Sequence, residues 1–226
     1  MPDVLYDFHT HSFLSDGELS PVELIRRAFV RGYRVIAITD HAGPGNAEFI
    51  VRQLAQDCAF CEKHWDITCL PGVELTHVPA AGIDEVARIA RAAGAQIVVV
   101  HGETPVEPVE PGTNRAAIES SHVDVLGHPG LVTEPEAQLA AANGTFLELS
   151  ARGGHSLTNG HVARVAMAAG ATLLVNSDTH SPRDILTVEL ARRVALGAGL
   201  DSATADAVLS LHPLWLVERL RSANAR

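Results

Sequence analysis

Seven short runs rich in β-branched and apolar residues punctuate the chain, and each is followed by a stretch with helical spacing. The runs are VLYDFH (4–9), RVIAITD (34–40), ITCLPGVEL (67–75), AQIVVVH (95–101), VDVLGH (123–128), TFLELS (145–150) and ATLLVNSD (171–178). Helices are expected over 20–32, 46–64, 82–93, 112–120, 134–142, 159–169 and 182–198. The first is the best signalled, with Ser20 at the N-cap, Pro21 at the first helical position and Gly32 as the stop. VVVH and ATLLV are apolar without alternation, as parallel strands covered on both faces require. The regular change from strand to helix predicts an α/β fold: a closed or nearly closed parallel barrel with helices outside, the alternative being an open doubly wound parallel sheet.

No glycine/serine linker, charge block or low-complexity segment divides the 226 residues, so a single domain over 1–226 is expected. One proline-rich loop, GETPVEPVEPGTN (102–114), follows the fourth strand. In the tail LHPLWLVERL (211–220), Leu211, Leu214, Trp215 and Leu220 have helical spacing. They predict a helix that seals one end of the barrel, or else a partner surface.

Composition narrows the class. A 46% hydrophobic and 19% charged chain is a folded globular one, not a disordered or membrane one. The start MPDVLYDFHTH lacks the basic and apolar regions of a secretory leader, and no apolar run approaches the ~18 residues of a membrane span, so a cytoplasmic location without membrane partners is expected. Three cysteines, Cys58, Cys61 and Cys69, argue against a secreted disulfide framework. The CxxC of Cys58 and Cys61 falls in a helix-like stretch and reads as buried thiols rather than a zinc or redox site. A formal charge of −10 disfavours nucleic-acid binding through a broad basic surface. Carboxylates gathered around cations, in contrast, could receive an anionic substrate.

The chemistry-bearing residues cluster at the carboxyl ends of the predicted strands. His9 and His11 follow the first strand, with Asp16 in the next loop; His41 follows the second, Glu74 ends the third, His101 the fourth, His128 the fifth, and Asp178 and His180 the last. In a parallel barrel these ends share one face, where catalytic residues gather. Alternation along a strand pairs His9 with His11 and Asp178 with His180. Imidazole with carboxylate is the ligand set of zinc, manganese or iron, whereas calcium prefers oxygen alone. Nine such residues are too many for one four-coordinate ion and suit two or three.

The motifs HTHSFLSDG (9–17), TDH (39–41), GVE (72–74), GHP (127–129) and SDTH (177–180), together with His101, closely resemble those of the PHP (polymerase and histidinol phosphatase) superfamily, in the same order. The resemblance implies a distorted (β/α)7 TIM-like barrel and a trinuclear site. By position it implies that His9, His11, Glu74 and Asp178 hold one metal, that Glu74 bridges to a second held by His101 and His128, and that Asp16, His41 and His180 hold the third. It further implies a hydrolase, a metal-dependent phosphatase or phosphoesterase. Its nucleophile would be hydroxide formed on the metals, and no serine or cysteine is assigned as a protein nucleophile.

Arg152, in ELSARGGHS (148–156), would lie on the same face as Glu148 and Ser150, and its planar fork suits phosphate; the alternative is a surface loop arginine. His77, His155 and Arg183 are further substrate-binding candidates. Asp7 and Asp40 could orient ligand imidazoles or simply cap loops. The loop acids Glu103, Glu107 and Glu110 could meet an amine-bearing substrate, but read more simply as an exposed acidic loop. The expected substrate is a small phosphomonoester, with histidinol phosphate one candidate. A nuclease or nucleotide phosphodiesterase, and a metal-containing accessory or binding domain, are the alternatives. A C–N-cleaving amidohydrolase would want a metal-bridging lysine, and the sole lysine, Lys63, lies in a predicted helix.

Overall fold

The structure is a computed structural model that describes residues 4–224. The strands expected from the sequence form at Leu5–Asp7 (β1), Tyr33–Ile38 (β2), Thr68–Leu75 (β4), Ile97–His101 (β5), Val125–Gly127 (β6), Phe146–Ser150 (β7) and Leu173–Asn176 (β8). A two-residue strand that the sequence did not predict, His41–Ala42 (β3), follows β2 and continues alongside β4 in the same register. It arises because the backbone leaves β2 at Thr39, whose N–H donates to the Thr10 carbonyl at 2.8 Å, and then re-pairs one step further along, with Glu74 N–H donating to the Asp40 carbonyl at 3.1 Å.

All strand pairs are parallel, in the order β1-β2-β4-β5-β6-β7-β8 with β3 beside β4. This order has no reversal, so the doubly wound sheet, which needs a switch point, is set aside. The seam between the first and last strands closes near their carboxyl ends. There Thr10 bridges Thr179, Asp178 N–H donates to the His9 carbonyl at 2.9 Å, and His11 N–H donates to the Thr179 carbonyl at 2.8 Å.

The helices are Pro21–Val30 (α1), Ala47–His64 (α2), Ile83–Ala92 (α3), Thr113–Glu119 (α4), Glu134–Asn143 (α5), Asn159–Ala169 (α6), Val188–Gly197 (α7) and Ser202–Asn224 (α8). Ser20 caps α1 by accepting from Glu23 N–H, as expected. α7 starts later than 182, because Thr187 is its cap and Asp184 ties the preceding turn by accepting from the N–H groups of His180 and Ser181 at 3.1 and 2.8 Å. Among the described residues, no helix is long and apolar enough to cross a membrane. Cys58, Cys61 and Cys69 are buried free thiols.

Each strand has two apolar faces. Outward residues such as Ile36, Val98, Val100, Leu126 and Leu147 pack with helix residues Leu24, Ile25, Leu54 and Ile118 in one core. Inward residues Phe8, Val35, Leu70, Val99, Phe146 and Leu174 form a second core inside the barrel. Along the inward column of each strand, character changes towards the carboxyl end: Leu70 is followed two and four residues on by Gly72 and Glu74, Val99 by His101, Phe146 by Glu148, and Leu174 by Asn176. Gly72 is a packing necessity, since a Cβ there would lie 2.5 Å from Ile97 Cγ2 and 2.6 Å from its carbonyl oxygen.

The tail does seal the barrel, but of the four expected residues Leu220 alone turns inward. Leu216, Val217 and Leu220 join the inner core, while Leu211, Leu214 and Trp215 are exposed. The helix is pinned to the amino ends of the strands, where His212 Nδ1 donates to the Leu173 carbonyl at 2.8 Å and Arg219 pairs with Asp124 at 3.0 Å. These anchors fix its rotation, so residues at spacing 216, 217 and 220 point into the barrel. Leu216→Ala is therefore expected to cost about 2–5 kcal/mol, and Trp215→Ala less than about 1 kcal/mol, measured by urea unfolding.

Candidate metal centre

At the carboxyl mouth the inward columns end in a cleft of about 260 Å³. Glu74 does not itself line the cleft; it is fully buried among the imidazoles. Its Oε1 is 3.1 Å from His9 Nε2 and 3.3 Å from His128 Nε2, and its Oε2 is 2.7 Å from His41 Nδ1 and 3.8 Å from His11 Nε2. Asp178 Oδ1 is 3.3 Å from His11 Nε2 and 3.3 Å from His180 Nδ1, while Oδ2 is 3.7 Å from His128 Nε2. Half-exposed Asp16 joins His41 Nε2 at 3.3 Å to His180 Nε2 at 3.1 Å.

Potential ligand atoms lie within 4.8 Å of one another in five groups: His9, His11 and Asp178; His9, Glu74 and His128; His11, Asp16, His41 and His180; His101, His128 and His155; and His77, His101 and Glu107. All nine residues expected as metal ligands fall in these groups. The partition differs from expectation around His101, which groups with His128 and His155 rather than with Glu74. The reason is local: His101 Nδ1 lies 3.2 Å from the Gly102 carbonyl, and Nε2 is turned to Glu107 at 3.1 Å.

The backbone bends sharply to present these groups. His77, His128 and Asp178 have φ of 52°, 26° and 53°, a region non-glycine residues rarely adopt. Three such residues at one mouth, each costing on the order of 1–3 kcal/mol, mark it as functional. Gly17 lets the loop that carries Asp16 pass against the His11 backbone, since a Cβ there would lie 2.4 Å from the His11 carbonyl oxygen.

The carboxylate that orients a ligand imidazole is Glu148, which the sequence reading did not assign. It accepts from His9 Nδ1 at 2.7 Å and from Asn176 Nδ2 at 2.9 Å, leaving His9 Nε2 directed at Glu74. Its signal was present in the inward alternation of Glu148 and Ser150 on an otherwise apolar strand. Asp7 and Asp40 do not touch an imidazole side chain. Asp7 accepts from Ser177 N–H and Tyr33 O–H at 3.1 and 3.2 Å; Asp40 accepts from Ser12 N–H, Ser12 O–H and Ser15 O–H at 2.8, 2.7 and 2.6 Å. They hold the backbone beside the ligands instead. Burial pushes the Asp7 carboxyl up to about 7. Thr76, at 2.6 Å from His41 Nδ1, and Glu107 are further site residues not singled out as such.

Five buried side-chain atoms lack a hydrogen-bond partner among the described residues: His9 Nε2, both ring nitrogens of His11, Glu74 Oε1 and His128 Nδ1. His9 Nε2 and Glu74 Oε1 are close but not aligned to bond. Such orphans are costly in a protein interior unless something else satisfies them. Burial disfavours charge on every group here. For Glu74 the imidazoles of His9 and His101 outweigh it and hold the carboxyl well below its usual range. For His9 the carboxylates of Glu148, Glu74 and Asp178 outweigh it and raise the imidazole well above its usual value. His41 is likewise pushed up to about 10 against its burial by Asp16 and Glu74, whereas burial takes His11 down to about 4. Imidazole nitrogens and carboxylate oxygens converging on one buried space fit a zinc-, manganese- or iron-type cation.

Of the expected substrate residues, Arg152 lines the cleft, its Nη1 2.7 Å from His180 Nδ1 and 3.3 Å from the Asp178 carbonyl. His155 is buried, stacked on His128 with ring centroids 4.1 Å apart, and bonded through Nδ1 to Thr104 Oγ1 at 2.8 Å. His77 sits at the rim. Arg183 is exposed and does not line the cleft.

Fold and site together define a parallel α/β barrel with a histidine–carboxylate centre at its carboxyl mouth. The chain belongs to the PHP domain family, whose profile matches residues 7–167. It is 45% identical over 216 residues to an uncharacterized protein of Methanocaldococcus jannaschii, covering 95% of this chain and 99% of that one. It is 30% identical over 226 residues to a probable phosphatase of Thermoanaerobacter sp., covering 92% and 90%. In fold it is similar to the histidinol phosphate phosphatase of Lactococcus lactis crystallised with zinc, L-histidinol and phosphate, with a TM-score of 0.60 over 88% of this chain and 95% of that one, at 16% identity.

Because Glu148 fixes the ring of His9, Glu148→Gln is expected to weaken divalent-ion binding about tenfold or more while the protein stays folded, measured by titration calorimetry with zinc or manganese.

Proposed function

We propose that this chain is a metal-dependent phosphoesterase that hydrolyses a small phosphomonoester at a centre of two to three divalent ions, zinc, manganese or iron. The observation that carries this reading is the set of partnerless buried nitrogen and oxygen atoms converging on Glu74 and Asp178, with Arg152 beside them. The similarity to a probable phosphatase along most of both chains supports it.

His9, His11, Glu74 and Asp178 would hold one ion, His101 and His128 a second with Glu74 near, and Asp16, His41 and His180 a third. When bound, such ions lower the pKa of water and neutralise phosphoryl oxygens. The protein's own residues do the positioning. Glu148 keeps His9 in one tautomer, and Asp40 holds the loop that places Asp16. Arg152, braced against the Asp178 carbonyl and His180, presents its guanidinium to the cleft, where a planar fork matches two phosphate oxygens. His155 flanks the cleft as a further contact for the phosphate or its leaving group, and His77 lies at its rim.

Histidinol phosphate is one candidate substrate. A phosphomonoester is favoured over a nucleic-acid strand because Arg152 is the one arginine or lysine lining the cleft among the described residues, whereas strand binding uses a basic groove.

A panel of phosphomonoesters and phosphodiesters, tested with metal-loaded and chelator-stripped protein, checks the proposal. Monoester turnover is expected, lost on stripping and restored by zinc, manganese or iron. Asp178→Ala is expected to remove turnover, and Arg152→Ala to raise KM by roughly 10–100-fold with a smaller change in kcat. Full turnover by the stripped protein would overturn the metal-dependent reading; a fully metallated but inert protein would favour a binding domain.

A further inference from the structure

The proline-rich loop after β5 is exposed over residues 105–108 and 110–112, yet it is tied back against the mouth. Glu103 secures its base by accepting from Gly112 N–H at 2.9 Å and Asn114 N–H at 3.0 Å, and Glu110 ties its far side to Ala80 N–H at 3.1 Å. Between these anchors Glu107 reaches three histidines from three different strand ends. Its Oε2 is 3.1 Å from His101 Nε2 and 3.3 Å from His77 Nε2, and its Oε1 is 3.4 Å from His155 Nε2. The left-handed backbone of His77 aims its ring into this group.

The ring of His101 decides what this carboxylate can do. Its Nδ1 is occupied by the Gly102 carbonyl at 3.2 Å, so Nε2 is the nitrogen free to coordinate. One nitrogen lone pair serves one ion. An ion bound there has Glu107 and His77 within ligand reach, since their donor atoms lie within 4.8 Å of one another and of His101.

We propose that Glu107 is a ligand of the divalent ion held through His101, joined by His77, so that the ion clamps the loop over residues 102–112 onto the mouth. The inference rests on the reading that this centre binds divalent ions. It assigns Glu107 a role that an exposed acidic loop would not have, and it makes closure of this loop dependent on metal.

Cobalt(II) added to chelator-stripped full-length protein provides the test, with ions per chain, affinities and the visible absorption band as readouts. Glu107→Gln is expected to weaken one ion at least about tenfold, alter the band and leave the other ions unchanged. His77→Ala is expected to weaken the same ion. Glu110→Gln removes the same charge from the same loop and is expected to leave affinity and band unchanged. Addition of cobalt to wild type is also expected to protect residues 102–112 from proteolysis, and to protect them less in Glu107→Gln. Unaltered affinity and band in Glu107→Gln would overturn the proposal, as would equal weakening by Glu107→Gln and Glu110→Gln, which is the mark of a field effect rather than ligation. A wild-type protein that binds no cobalt, zinc or manganese would instead remove the reading of the centre on which the inference stands.

Discussion

Glu74 and Asp178 are carboxylates almost without exposure, set inside the mouth of a barrel whose interior is apolar towards the other end. An ionised carboxylate in such a place costs several kcal/mol unless positive charge surrounds it. The chain meets that cost with imidazoles drawn from the ends of different strands: His9, His11, His41 and His128 all face Glu74. Most other features of this end follow from keeping those rings in place. Glu148 holds His9, Thr76 contacts His41, Arg152 braces His180, and the strained backbones of His128 and Asp178 are tolerated because they aim the groups inward. Imidazoles alone compensate the charge incompletely, since several of their nitrogens have no partner among the described residues. A bound divalent ion would resolve both shortages at once.

At the opposite end of the barrel the buried carboxylate Asp124 is met by the guanidinium groups of Arg91 and Arg219. Leu216, Val217 and Leu220 close it with apolar contacts, and Arg219 and His212 fix the closing helix to strand termini. Stability and chemistry are thereby separated along the strands. The same β-strand supplies a hydrophobic residue near its start and a polar one two to four residues later, as in Leu70 to Glu74 and Phe146 to Glu148. Substitutions at the two ends should consequently differ in kind: loss of folding energy at one, loss of ligand binding at the other.

Much of this was legible in the sequence, for identifiable reasons. Strands buried on both faces are continuous apolar runs, so VVVH and its counterparts were found; a parallel barrel then places all their carboxyl ends together, which is why His9 and Asp178 could be joined across nearly the whole chain. What failed was whatever depends on long-range geometry. β3 is set off from β2 because Thr39 bonds to Thr10, beyond the end of the neighbouring β1. The face of α8 that seals the barrel is set by anchors at Leu173 and Asp124, not by its apolar spacing. Sequence adjacency suggested Asp7 and Asp40 as partners of imidazoles, yet Asp7 bonds to Ser177 and Tyr33, and Asp40 to Ser12 and Ser15. Glu107 read as one acid of an exposed loop, and it is exposed; what nothing local reveals is that its loop returns to the mouth, where its carboxylate meets His101, His77 and His155.

The central claim is that buried carboxylates and imidazoles at this mouth form a multinuclear metal centre. The most direct measurement is the number of divalent ions bound per chain, by elemental analysis after dialysis of protein loaded with zinc or manganese, alongside thermal unfolding with and without the ions. The expected result is two to three ions per chain and a higher Tm in the loaded protein. A folded chain that retains no ion and unfolds at the same temperature in either condition would contradict it.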